Sequence, residues 1–131
     1  MIRQSFDIEG YWRVIVYYNV DYGLFSSVER EMLHYGAAPE VVKDIYGNMS
    51  SGKAKAVTYS NCPRHISMVL FNRHGTMADY INSIVHEAEH IKQAMLAAYG
   101  VEDAGEPPAY TIGFIVMKMY RMLRYFIGRC I

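Results

Sequence analysis

The order of apolar and polar residues changes its period several times along the chain, and each change predicts a new secondary-structure element. Residues 11–20 are rich in β-branched and aromatic side chains, and residues 53–60 alternate with the two-residue period of a half-buried strand. Residues 76–99 instead repeat apolar side chains at helical spacing. Residues 1–9 have no clear pattern. The predicted elements are strands at 11–20, 53–60 and 66–72 and helices at 24–35, 39–49, 76–99 and 108–126.

This order of elements, β-α-α-β-β-α-α, predicts an α+β fold in which a small antiparallel sheet packs against helices. The strand at 66–72 is the expected hairpin partner of the strand at 53–60. A hydrophobic fraction of 52% in 131 residues is enough for a folded core of ordinary size. We therefore expect one domain over residues 1–131.

The helix at 76–99 is the best defined of the predicted elements. Thr76 is a suitable N-cap, and Asp79 stands three residues later, as in a capping box. Gly100 follows the last apolar residue of the helical pattern and is a suitable stop. The sequence therefore predicts one long helix with capped ends.

This helix contains the sequence His86-Glu87-Ala88-Glu89-His90, an H-E-x-x-H motif. On a helix, His86 and His90 lie one turn apart on the same face, where two neutral imidazoles can hold one Zn²⁺ ion. Glu87 would then lie beside the metal and could accept a proton from an activated water. The alternative is a surface helix with two chance histidines; we favour the metal site because the motif falls where the helical pattern is strongest.

A catalytic zinc usually has a third protein ligand, and the downstream candidates are Glu102, Asp103 and Glu106. We prefer Glu106, because a final helix running antiparallel to the first could return its carboxylate to the metal face. Its other interpretation is a carboxylate that stabilises the start of a helix. Tyr110 follows one turn later and could bond to the ligand carboxylate or stabilise an oxyanion; core packing is the alternative.

The motif at 86–90, taken with Glu106-Pro107-Pro108-Ala109-Tyr110, resembles the small zincin-type metallopeptidase-like proteins of phages and prophages. Those proteins pair H-E-x-x-H with a downstream Glu-x-x-Ala-Tyr. The resemblance implies a zincin-like fold with the motif on a long central helix, His86, His90 and Glu106 as zinc ligands, and Glu87 as general base. It further implies hydrolysis of a peptide or protein substrate by a zinc-activated water. By analogy, the substrate would pair with an edge strand within residues 66–71.

The balance of charges and the cysteine content bear on the expected partners and on the expected cellular compartment. The 13 basic and 13 acidic residues balance, so nucleic acid is not an expected partner. Cys62 and Cys130 are expected to be ordinary thiols of a reducing compartment, and no secretory signal opens the chain. We therefore expect a cytoplasmic protein of a bacterium or of a phage-infected cell.

The predicted final helix is apolar enough to raise two further questions, membrane insertion and self-association. Lys118, Arg121 and Arg124 interrupt it, which disfavours an integral membrane segment. A homo-oligomer through this C-terminal helix is one expectation, and a membrane-surface protein acting through residues 123–131 is a more distant one. The main alternative to an enzyme is a non-catalytic binding or assembly protein of the phage type, on the same fold, with a structural or vestigial metal site.

Overall fold

A computed structural model describes residues 1–125 of the chain, so the predictions for Phe126, Cys130 and the rest of residues 126–131 lie outside the described residues. The α+β class predicted from the sequence is confirmed. Two short 3₁₀ turns lie at Tyr22–Leu24 and Leu123–Tyr125. The strands and α-helices are β1 (Ile2–Ile8), β2 (Trp12–Tyr18), α1 (Phe25–His34), α2 (Pro39–Ser50), β3 (Ala56–Asn61), β4 (Ile66–Phe71), α3 (Met77–Tyr99) and α4 (Glu106–Tyr120).

The sheet has the strand order β1-β2-β4-β3 and is mixed. β1 with β2 and β3 with β4 form antiparallel hairpins, whereas β2 and β4 are parallel. The prediction of a wholly antiparallel sheet is therefore wrong for the central pair. The reason is that the two hairpins join through their second strands, which point the same way after the chain has crossed over through α1 and α2.

β1 was not predicted. Its burial alternates along the strand, with Phe6 and Ile8 buried and Arg3 and Asp7 exposed, as expected where only one face of an edge strand meets a core. Gln4 takes one of the positions that alternate with Phe6 and Ile8, so the apolar alternation of this segment is interrupted and does not stand out in the sequence.

Helices cover both faces of the sheet. Residues of β2 alternate between the two cores: Val14 and Val16 belong to one core with α3 and α4, whereas Ile15 and Tyr17 belong to another with α1 and α2. All six residues of β4 (Ile66–Phe71) are buried. A strand buried on both faces reads as a continuous apolar run, and here that run marks the centre of the sheet.

The central helix α3 begins and ends as predicted. The Thr76 hydroxyl accepts a hydrogen bond from the Asp79 N–H at 3.1 Å, and Gly100 adopts a left-handed conformation (φ 65°) after the last turn. Tyr80, Ile84 and Ile91 bury one stripe of α3 against the sheet. Within residues 1–125, no helix has the length and apolar character needed to cross a membrane.

Candidate metal centre and groove

The two histidines of the motif face each other on the outer side of α3. The Nε2 atoms of His86 and His90 lie 3.2 Å apart. Two nitrogen ligands that each lie about 2.05 Å from a zinc ion at the tetrahedral angle are about 3.3 Å apart. The side chain of His86 is 68% exposed, so an ion could reach both atoms from solvent. The pair therefore has the spacing of two ligands of one tetrahedral metal.

Glu87, between the histidines in sequence, turns inward. It is one of four buried polar or charged side chains among the described residues, at 4% exposure. Its Oε1 accepts a hydrogen bond from the Thr58 hydroxyl at 3.0 Å, and its Oε2 lies 3.9 Å from the Nε2 of His86. One carboxylate oxygen is thus held by β3, and the other faces the histidine pair.

A groove of about 710 Å³ runs between α3 and β3 and is lined by the histidine pair, Glu87 and Thr58. We call it the histidine groove. Lys55 lies at one end of it and Gln93 at the other. Most of its lining is polar, so it can hydrogen-bond a substrate along its length.

β3 forms one wall of the histidine groove and one edge of the sheet. Asn72 donates its N–H to the Lys55 carbonyl at 2.9 Å, so the backbone of Lys55, and of every second residue after it, points toward β4. The N–H and C=O groups of Ala56, Thr58 and Ser60 consequently point away from the sheet. These groups are available to a further strand.

The expected substrate strand within residues 66–71 is therefore wrong. β4 (Ile66–Phe71) is fully buried between β2 and β3 and has no free edge. The continuous apolar run that suggested a strand beside the motif helix is instead the sign of a central strand. The half-buried alternating strand, β3, is the one at the edge.

Ser83 lies one turn before the motif and also lines the histidine groove. Its Oγ is 2.7 Å from Nε2 of His74, whose Nδ1 is 2.6 Å from the backbone oxygen of Asn72. A carbonyl oxygen only accepts, so Nδ1 carries a proton, and in the neutral imidazole Nε2 then accepts from the Ser83 hydroxyl. This bond fixes the loop before α3 to the helix. Neither this role of His74 nor that of Thr58 was predicted, although the alternation of 53–60 does place Thr58 on one face of its strand.

Glu106 does not join the histidines. Among the described residues, no three His, Cys, Asp or Glu side chains are grouped closely enough to hold one metal ion. α3 continues from His90 to Tyr99, about 13 Å along its axis, before α4 begins. α4 then packs over the β1 side of the sheet, where Gln4 donates to the Lys118 carbonyl at 3.0 Å, whereas the histidine groove lies at the β3 edge.

The other C-terminal candidates also lie away from the histidines. Tyr110 is 74% exposed and lines a different cavity with Tyr99 and Pro107. Asp103, an alternative third ligand, instead pairs with Lys92 at 3.0 Å. The structure thus brings together His86, Glu87 and His90, and it does not bring Glu106 or Tyr110 to them.

Comparison of the chain with protein-family models, with curated proteins and with solved structures gives no match. The candidate function therefore rests on the geometry of the site and on the sequence resemblance alone.

Proposed function

We propose that this protein is a zinc-dependent metallopeptidase-like hydrolase that cleaves an extended peptide lying in the histidine groove. The observation that carries the proposal is the 3.2 Å spacing of the His86 and His90 Nε2 atoms beside a buried carboxylate, that of Glu87. A buried acidic side chain with one hydrogen-bonding partner is costly to a fold, and such groups concentrate at functional sites. The expected setting is the cytoplasm of a bacterium or of a phage-infected cell.

His86 and His90 would hold the metal. A bound zinc ion makes water acidic near neutral pH and polarises a carbonyl group. The described residues offer two imidazoles and no grouped third ligand, so the pair fits half of a usual catalytic site. We expect no ligand from Glu106, which α4 holds away from the histidine pair.

Glu87 would act as the general base. Its Oε2 faces the histidine pair and could take a proton from the attacking water, while Thr58 holds Oε1 in place. As the water oxygen bonds to the scissile carbon and the C–N bond breaks, Glu87 would return that proton to the leaving amine. The buried position keeps the carboxylate in one orientation for both transfers.

The edge of β3 would bind the substrate backbone. The outward N–H and C=O groups of Ala56, Thr58 and Ser60 can pair with an extended peptide, which would then pass beside Glu87. Backbone pairing recognises the extended conformation and leaves side-chain preference to the polar groove walls.

Elemental analysis of purified protein tests the metal first. We expect about one zinc per chain in the wild type and loss of metal in His86→Ala, with His34→Ala, an exposed histidine on α1, as the matched control. Glu106→Ala should keep its zinc, because α4 holds Glu106 away from the histidine pair. If Glu106→Ala also loses its zinc, Glu106 is a ligand. If the reconstituted wild type holds no zinc, the metal proposal is contradicted.

Peptide hydrolysis tests the catalytic role separately. Glu87→Gln should keep zinc and fold and lose activity by about 10²- to 10⁴-fold, the usual contribution of a general base. Full activity in that variant would remove Glu87 from the mechanism.

The second candidate is a non-catalytic binding or assembly protein, and the two-imidazole set favours it because a catalytic zinc usually has three protein ligands. It predicts no turnover of any peptide in a library. Thermal melting with and without a chelator separates a structural metal, whose removal unfolds the domain, from a dispensable one.

A further inference from the structure

A second cavity, of about 900 Å³, lies by the hairpin of β1 and β2, whereas the histidine groove lies at the β3 edge of the sheet. Four segments form it: the hairpin of β1 and β2, the last turns of α3, the loop that follows α3, and the first turns of α4. Its volume is within the range of cavities that hold small organic molecules. We call it the aromatic cavity.

The lining of the aromatic cavity combines aromatic rings with a single carboxylate. Tyr11, Tyr99, Tyr110 and Phe114 supply four aromatic rings. Among the described residues that line it, Glu9 alone carries a charge at neutral pH. Aromatic faces attract cations, ammonium groups above all, and a carboxylate adds to that attraction. We propose that the aromatic cavity binds organic cations, that is, molecules with an apolar body and an ammonium group.

Two of the rings are fixed walls. Tyr99 donates its hydroxyl proton to the backbone oxygen of Tyr11 at 3.2 Å, and its ring packs edge-on against Trp12 with centroids 6.2 Å apart. Phe114 packs edge-on against Phe6 at 6.3 Å. A ligand that meets these rings does not have to order them, which lowers the entropic cost of binding.

The other two rings stand at the mouth. Tyr11 and Tyr110 are 70% and 74% exposed, and no residue within 1–125 hydrogen-bonds to either hydroxyl. Core packing therefore does not account for these two tyrosines. Because each ring is mostly exposed, both can turn toward a bound cation at little cost in buried area.

Ligand-observed NMR on the full chain tests the proposal with phenyltrimethylammonium and its neutral carbon analogue, tert-butylbenzene. We expect saturable binding of the cation and at least about five-fold weaker binding of the neutral analogue, because about 1 kcal/mol of cation attraction corresponds to that factor. Binding of both compounds with equal affinity, or no binding of the cation at millimolar concentration, would overturn the proposal.

Variants locate the site. Glu9→Gln and Tyr110→Ala should each weaken binding of phenyltrimethylammonium by about five-fold. The matched controls, Glu40→Gln on α2 and Tyr120→Ala near the end of α4, remove similar exposed groups elsewhere and should leave the affinity unchanged. Unchanged affinity in both Glu9→Gln and Tyr110→Ala would place the cation elsewhere and refute the assignment. A chelator should have no effect, so this test is independent of the metal proposal.

Discussion

Replacing Glu87 by methionine should stabilise the protein, which is the opposite of what most substitutions at a buried position do. The Glu87 side chain is 5% exposed and accepts one side-chain hydrogen bond, from Thr58. A hydrogen bond to a charged group returns about 1.5–3 kcal/mol, whereas removing a carboxylate from water costs several kcal/mol in proteins. Methionine has nearly the same length and volume and can occupy the same space without this cost.

We expect the free energy of unfolding of Glu87→Met, measured by urea titration at pH 7 with chelator present, to rise by about 1–2 kcal/mol. An unfolding entropy of about 2.1 cal/mol/K per residue over 131 residues makes 1 kcal/mol equivalent to about 3.6 °C in Tm. The expected gain in Tm is therefore about 4–7 °C. Glu87→Gln, which keeps an acceptor for Thr58 and loses the charge, should fall between the wild type and Glu87→Met.

A loss of 1 kcal/mol or more in Glu87→Met, with about the same m-value, would refute this reasoning. It would mean that the carboxylate contributes to the fold on balance. Burial of the Glu87 charge would then need no functional explanation. Ala88→Gly, at the neighbouring buried position of the same helix, is a control that should destabilise by about 1 kcal/mol or more.

Three further predictions test the fold. Thr76→Ala should cost about 1 kcal/mol, because it removes the hydroxyl that caps α3, and a chemical denaturation curve will show it. Ile15→Val should cost about 1 kcal/mol, because Ile15 is fully buried between the sheet and the helices α1 and α2, and calorimetry will measure the loss. Burial would raise the pKa of Glu31, but the hydrogen bonds from Arg3 and Tyr17 lower it below its usual range. These bonds therefore stabilise the fold above about pH 4.3 and cease to do so as the pH falls through the lower folded value. Glu31→Gln should cost about 1 kcal/mol at pH 7, since Arg3 is 44% exposed and solvent screens the pair, and less than that at pH 3. Equal costs at both pH values would contradict this assignment.

The sequence predicted the first and last residues of α3 well. Thr76, Asp79 and Gly100 are local signals for the ends of α3, so tertiary structure was not needed to read them. The same local spacing places His86 and His90 on one face, and the 3.2 Å distance between their nitrogens agrees with that expectation. The features that depend only on residues close in sequence, such as helix ends and the spacing of two histidines, were therefore the ones predicted best.

Contacts between residues that are distant in the sequence could not be predicted in this way. Glu106 follows the motif closely in sequence, but the remaining turns of α3 and the packing of α4 over β1 separate it from the histidines. The neighbour of β3 could be predicted, whereas the parallel partner of β4 lies far away in the sequence and leaves no local pattern. The pairing of β4 with β2 is what leaves β3 at the edge of the sheet. For this reason the sequence pointed to β4, and not to β3, as the edge strand that could bind a substrate.

The parallel pairing of β2 with β4 also bears on the order in which the protein folds. Every residue that lines the histidine groove lies between Lys55 and Ala94, and the bond across it from Thr58 to Glu87 joins residues 29 positions apart. The pairing of Arg13 with Ile66, by contrast, requires closure of a loop that contains α1, α2 and β3. Loop closure must be completed before such distant contacts stabilise the chain, and this slows folding. We therefore expect the hairpin of β3 and β4 to pack with α3 before β2 pairs with β4, so that the sheet beneath the candidate metal centre is completed last.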